Sequence, residues 1–305
     1  MPELPEVEVV RRGIEPYTGS WRITAVDVFD PRSLKRHRGP VEDFVHTLTG
    51  ATLLSAVRRG KFLWIPLDID GDRSKALLVH LGMSGQLLLG DSPEQFGRLL
   101  RVGMRLEGPE GREIMLGFVD QRLFGSLAID VLVETGVGVP AGFGSDSPNI
   151  PGQASHIARD LLDPHLDVDG FIRALRRRKT GIKRTILDQQ VVSGVGNIYA
   201  DEALWRTKLH YDYPANRLST AKARELAANL RSVFIGALEQ GGTSFDWQYV
   251  NVNGQSGYFS QSLNAYGQDG GPCARCGAVI VREPFMNRSS FRCPKCQPRP
   301  RKQVS

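Results

Sequence analysis

Four cysteines near the end of the chain constrain its fold more than any other feature. They stand as Cys273-x2-Cys276, then sixteen residues, then Cys293-x2-Cys296. Two cysteine pairs at this spacing match a four-thiolate zinc ribbon. The start of the chain is acidic and contains proline, unlike a signal peptide, so zinc is favoured over disulfides. Four thiolates fill the tetrahedral shell and leave no position for water, which makes the expected single Zn2+ structural rather than catalytic. From Cys273 onward there are eight Lys or Arg and one acid, Glu283. Arg288 lies between the cysteine pairs in Asn287-Arg288-Ser289-Ser290-Phe291, where a hairpin tip would meet phosphates.

The 305 residues, 41% of them apolar, are enough for two domains and a small appendage. No run approaches the roughly 18 apolar residues of a membrane span. The expectation is a soluble, intracellular protein with no membrane partner, and the net charge of +6 suggests a polyanion partner. Between 21 and 132, short apolar runs at 23–29, 53–57, 62–67, 76–81, 86–89, 99–106 and 114–119 alternate with turn residues. This predicts an antiparallel sandwich or barrel after a first helix. Two basic clusters sit at its turns, Lys35, Arg36, His37 and Arg38, then Arg58, Arg59 and Lys61, and read by themselves as solvated loops.

Residues 136–155 hold five Gly, three Pro and three Ser and read as a linker. Beyond it the period becomes helical, with candidates at 171–178, 183–190, 198–207 and 220–239. Between two of these lies Val191-Val192-Ser193-Gly194-Val195-Gly196-Asn197, a glycine turn ending in a residue suited to N-capping. Exposed amides at a helix start, with Lys183 and Arg184 on the preceding helix, suit phosphate; an ordinary hairpin capped by Asn197 is the other reading. The stretch 241–258 is rich in glycine, amide and aromatic residues, and reads as a loop closing over a ligand or as a connection to the ribbon.

The chain opens Met1-Pro2-Glu3-Leu4-Pro5-Glu6-Val7-Glu8. Loss of Met1, which a small second residue favours, would expose a secondary amine with carboxylates beside it. An α-amino group has a pKa about two units below that of lysine, so more of it is neutral and nucleophilic near pH 7. A helix with Pro5 at its first position and Val7, Val10 and Ile14 on one face would set that amine near a positive helix end. A plain capped helix accounts for the same residues.

Taken together, MPELPEVE, RRGKFLW at 58–64, HLGMSG at 80–85, DQRLFG at 120–125, SGVGNIYADEALW at 193–205 and the ribbon closely resemble the formamidopyrimidine-DNA glycosylase family. The match spans essentially the whole chain. The resemblance implies an α+β multidomain fold: an N-terminal helix with an antiparallel β-sandwich (1–135, catalytic), the linker (136–155), a helical domain with a helix-two-turn-helix motif (156–240), a lesion-recognition loop and connection (241–262), a zinc finger (263–298) and a basic tail (299–305). Damaged double-stranded DNA is the implied partner, held between the two halves of a monomer that works in the bacterial cytoplasm and on the nucleoid.

By the same resemblance, Pro2 attacks the sugar C1′ of a damaged nucleotide, Glu3 acts as general acid and base, and Lys61 contacts phosphate and assists catalysis. Glu6 lies near the damaged base. Met83, Arg122 and Phe124 enter the duplex to fill the gap left by the extruded nucleotide. For Met83 and Phe124 the residues alone suggest a sandwich core instead. Lys183, Asn197, Tyr266 and Arg288 match phosphate-binding positions. Gln121 and Leu123 depart from the family's frequent proline and arginine, which removes one positive charge. Asp201 and Glu202 read as helix-start acids.

The implied activity is excision of oxidised purines, chiefly 8-oxoguanine opposite cytosine and formamidopyrimidines, followed by β,δ-elimination. The alternatives are an endonuclease VIII type that prefers oxidised pyrimidines, disfavoured by Leu4 and by the trio, and a non-catalytic zinc-ribbon DNA-binding protein, disfavoured by intact Pro2, Glu3 and Lys61.

Overall fold

The computed structural model describes residues 2–136, 138–242, 252 and 259–300. The chain divides into two compact units, Met1–His156 with Gly241–Gly257, and Ile157–Gln240 with Tyr258–Ser305.

The first unit opens with α1 (Leu4–Ile14) and continues through β1 (Trp21–Val28), α2 (Val41–Leu48), β2 (Thr52–Leu53), β3 (Val57–Arg59), β4 (Phe62–Asp68), β5 (Lys75–His80), β6 (Gly85–Gly90), β7 (Leu100–Glu107), β8 (Glu113–Asp120), β9 (Ser126–Glu134) and β10 (Asn149–Pro151). All pairings are antiparallel, in the order β10-β9-β5-β4-β2-β1-β7-β8-β6, with β3 on β4. Only two residues, Thr52 and Leu53, join β2 to Asp68 and Leu67 of β4, so the sheet turns there into two halves. Ile23, Val102, Met104, Leu116 and Phe118 from one half meet Leu63, Ile65, Leu77, Val79 and Leu127 from the other in one core. Alternation along each strand aims these residues inward. From α1, Val7, Val10 and Ile14 join the same core, as the helical spacing predicts.

Two elements were not legible as such. The helix α2 is only eight residues long and buries Phe44, Thr47 and Leu48, too few turns to establish a period. In β9 the exposed Val131 and Val133 blur the alternation. The glycine-rich stretch read as a linker is built onto this unit. Its β10 pairs with β9, and Phe143 exchanges backbone hydrogen bonds with Arg58 at 2.8 and 2.9 Å. Gly142 packs against Trp64 and Gly144 against Ala56, where a Cβ would clash.

The second unit holds α3 (Val168–Arg177), α4 (Ile182–Leu187), α5 (Asn197–Thr207), α6 (Thr220–Glu239) and the hairpin β11 (Val281–Phe285) with β12 (Arg288–Arg292). Nearly every residue of α5 is buried. Its N-cap is Gly196, and Asn197 is its first helical residue; the expectation that Asn197 caps the helix is thereby corrected. Among the described residues no helix is long and apolar enough to cross a membrane. Of the stretch 241–258, only Gly241, Gly242 and Val252 lie within the described residues.

Candidate active site and nucleic-acid interface

In the first unit the chemistry-bearing residues gather at the start of α1. The helix begins at Leu4, one residue before the expected Pro5, with Glu3 as N-cap. Glu3 and Glu6 form a reciprocal capping box in which the Glu3 N–H donates to Glu6 Oε2 at 2.8 Å. Pro2, Glu3, Glu6 and Glu8 are all buried. The capping box thus fixes the Glu3 side chain on the first turn of the helix, one residue after Pro2. Gly242, at φ +86°, lies against Glu6, where a Cβ would stand 3.3 Å from Oε1.

One turn further on, Glu8 is a buried junction. Its Oε2 accepts from Arg58 Nε at 2.9 Å, and both oxygens accept from Arg11. Burial alone would raise the Glu8 carboxyl, but Arg58 and Arg11 hold it below the ordinary value. Arg58 also donates from Nη1 to Gly60 O at 3.3 Å. Gly60, at φ +56°, and Lys61 form the two-residue turn between β3 and β4. The helix that carries Pro2 is therefore tied to the turn that carries Lys61. Arg58 and Arg59 are both buried, which corrects their reading as solvated loop residues. Burial lowers the His80 imidazole to about 4, and the charges of Arg36, Lys61 and Lys35 add to the shift.

The β5–β6 loop carries Met83, and the β8–β9 loop beside it carries Arg122 and Phe124. Met83 is 41% exposed and Phe124 43%, so neither belongs to the sandwich core that the residues alone suggested. The Arg122 guanidinium stacks 4.7 Å over the Phe124 ring. Gly82, at φ +63°, lies directly under the Phe124 backbone and leaves no room for a side chain. Apolar groups kept exposed on a braced scaffold suit insertion into a base stack.

In the second unit the expected phosphate contacts separate into two kinds. Arg288 is exposed at the hairpin tip, and Tyr266 is half-buried with its ring 4.9 Å from Phe291. Asn197 donates from Nδ2 to Ser289 O at 3.0 Å, which ties the glycine turn to the hairpin; Gly194 N donates to Gln189 Oε1 at 2.9 Å and braces that turn. Lys183 differs from the others. Its ammonium is fully buried, 2.7 Å from Asp201 Oδ1 and 3.0 Å from Ser290 Oγ. Unlike an open phosphate contact, Lys183 stands here as one half of a buried ion pair.

The acids that looked out of place explain this arrangement. Asp201 accepts from Ser290 Oγ and Phe291 N, and burial raises its carboxyl to about 6 against the pull of Lys183. Glu202 accepts from the backbone N–H groups of Asn264, Ala265 and Tyr266. Both carboxylates dock the finger on α5 rather than capping a helix. Two adjacent acids in a segment otherwise without charge were the only signal in the sequence.

The sulfur atoms of Cys273, Cys276, Cys293 and Cys296 lie within 4.8 Å of one another, with 3.4 Å between Cys276 and Cys293. A tetrahedral site with metal–sulfur bonds near 2.3 Å needs sulfurs roughly 3.8 Å apart, so the four fit a metal ion. The Trp205 indole N–H donates to Cys273 Sγ at 3.3 Å, as an outer partner of a thiolate ligand would.

With this geometry in hand, comparison with known proteins is decisive. Residues 1–127 match the formamidopyrimidine-DNA glycosylase N-terminal domain, and residues 157–248 match the formamidopyrimidine-DNA glycosylase H2TH domain. A formamidopyrimidine-DNA glycosylase of Leifsonia xyli subsp. xyli is 57% identical over 297 residues, which cover 97% of this chain and 99% of the relative. The chain belongs to the formamidopyrimidine-DNA glycosylase family. Among solved structures, a Lactococcus lactis Fpg variant in complex with Fapy-dG-containing DNA matches with a TM-score of 0.80 at 28% identity, covering 98% of this chain and 100% of that one. A MutM in complex with carbocyclic 8-oxo-G-containing DNA matches at 0.79 and 27% identity, with the same coverage. The formamidopyrimidine-DNA glycosylase fold thus accounts for both units, including the helical region and the cysteine cluster.

Proposed function

We propose that this chain excises oxidised purines from DNA, 8-oxoguanine opposite cytosine and ring-opened formamidopyrimidines, and then nicks the abasic strand. The observation that carries the reading is the intact start of α1, with Pro2 buried immediately before the capping residue Glu3. The solved relatives, bound to Fapy-dG and to 8-oxo-G DNA, support the substrate class.

Once Met1 is removed, the Pro2 nitrogen attacks C1′, and the bond from C1′ to the base breaks with its electron pair leaving on the base, which takes up the amine proton. Glu3 protonates the ring oxygen as the sugar opens. The resulting iminium is cationic without protonation and serves as the electron sink. Loss of a C2′ proton to Glu3 then expels the 3′ phosphate, and a second elimination expels the 5′ phosphate. Lys61 steadies the phosphate next to the lesion, and Glu6 lies toward the extruded base.

Met83, Arg122 and Phe124 fill the vacated stack, and Arg122 offers donors to the orphaned cytosine. Asn197, Tyr266 and Arg288 hold phosphates, and the segment 241–262 meets the lesion. The four cysteines hold one Zn2+, whose chemistry is to fold the finger that presents Arg288. The protein acts as a monomer on nucleoid DNA in the bacterial cytoplasm.

Borohydride trapping tests the reading, using protein shown by intact mass to lack Met1. A covalent adduct through Pro2 is expected, strongest on a duplex with 8-oxoguanine opposite cytosine and absent from Pro2→Gly. A stronger adduct on an oxidised-pyrimidine duplex would assign the endonuclease VIII type instead. Tight binding with no adduct on either duplex would sink the enzymatic reading.

A further inference from the structure

Asp120 ends β8 at the base of the loop that carries Arg122 and Phe124, and it is completely buried. Its carboxylate accepts four hydrogen bonds. Oδ1 takes Ser84 Oγ at 2.5 Å, Arg122 N at 3.0 Å and Leu123 N at 3.1 Å, while Oδ2 takes Gly125 N at 2.7 Å. Ser84 follows Met83, and its hydroxyl also accepts from Arg122 N at 3.3 Å. One carboxylate therefore grips both loops that carry the exposed trio.

The loop needs such a grip. Leu123 sits at φ +54°, a left-handed conformation that a γ-branched residue seldom adopts unless its surroundings impose it. Its N–H goes to Asp120, and its carbonyl accepts from Lys35 Nζ at 2.7 Å. Arg101 Nε donates to Asp120 O at 2.8 Å, which holds the strand end beneath. Turning Leu123 into this conformation places Arg122 and Phe124 close enough to stack, while the Ser84 bond holds Met83 alongside. Hydrogen bonds to a buried carboxylate are charge-assisted, and leaving their donors unpaired costs more than an ordinary bond.

We propose that Asp120 is a positioning residue that locks Met83, Arg122 and Phe124 into one preformed wedge and thereby sets the discrimination for the base opposite the lesion. The proposal rests on the reading of that trio as the group that fills the gap. It predicts that loosening the carboxylate harms the duplex-dependent steps more than the amine chemistry.

The test compares Asp120→Asn, Ser84→Ala and Arg122→Ala with the parent by single-turnover excision of 8-oxoguanine opposite cytosine and opposite adenine. Lyase turnover at an abasic site in single-stranded DNA, which has no orphaned base, serves as the reference. Asp120→Asn keeps the size but cannot accept on both sides. Its duplex excision should fall about tenfold or more beyond any loss on the single strand, as the loss of one charge-assisted bond allows. Its cytosine-over-adenine ratio should collapse toward unity. Ser84→Ala should slow duplex excision while keeping most of the ratio, because the three amide bonds to Asp120 remain. Equal losses on duplex and single strand, or an unchanged ratio in a folded Asp120→Asn, would overturn the proposal. Should Asp120→Asn fail to fold, Ser84→Ala with parental duplex excision would overturn it instead. An unchanged ratio in Arg122→Ala would refute the gap-filling reading itself, whatever Asp120 does.

Discussion

Glu8 and Arg58 are fifty residues apart in sequence and meet at 2.9 Å with almost no exposure. Without Arg58, Glu8 keeps Arg11 and Arg12 as partners, so the loss is that of one buried charge-assisted bond, about 1.5–3 kcal/mol. Arg58→Ala should lose stability on that scale in urea unfolding at pH 7. The pH dependence has a definite sign. The folded Glu8 carboxyl lies below its unfolded value of 4.5, so its stabilising share is present above pH 4.5 and fades as acid titrates it. The deficit of Arg58→Ala relative to the parent should therefore shrink below pH 4.5; a deficit that stays constant to pH 3 would contradict the pairing. The capped start of α1 and the cysteine cluster were legible because local spacing carries them. Arg58 was not, because a run of cations shows its charge but never the partner that a distant segment supplies.

At the scale of elements, α5 and β12 behave as one part, and that changes what Lys183 does. Phosphate ligands release counterions on binding, so removing one lowers the salt slope by about one. Arg288→Ala should weaken binding to all duplexes with that smaller slope. Lys183→Met should weaken binding by loosening the seat of β12 on Asp201, with the slope unchanged; a slope reduced as in Arg288→Ala would restore Lys183 as a phosphate ligand. The strands of the sandwich and the helix over 220–239 were readable because their periods repeat. The docking of the finger was not, since it runs through Asp201 and Glu202, whose partners are backbone amides and a hydroxyl that have no pattern of their own. The switch of Asn197 from cap to tether has the same cause: Gly196 occupies the cap position, and Ser289 O lies within reach.

Across the whole molecule, the two units are held by different means. The sandwich unit closes over a large apolar core, whereas the finger has only a small cluster of Trp205, Ala265, Cys273, Ile280, Phe291 and Cys293 around its sulfurs. A strong chelator should release about one zinc per chain, abolish DNA binding and remove the unfolding transition of the finger, while the transition of the sandwich unit persists in calorimetry. Simultaneous loss of both transitions would show instead that the metal supports the entire chain. The sandwich unit also borrows from far along the sequence. Val252 is buried in its core, its carbonyl accepts from Leu89 N at 3.0 Å, and it fills the space that a side chain on Gly13 would need. On the ribosome, the sandwich must wait with its core unplugged until the entire helical bundle has been synthesised, so no fragment that ends before Val252 can reproduce the finished sandwich.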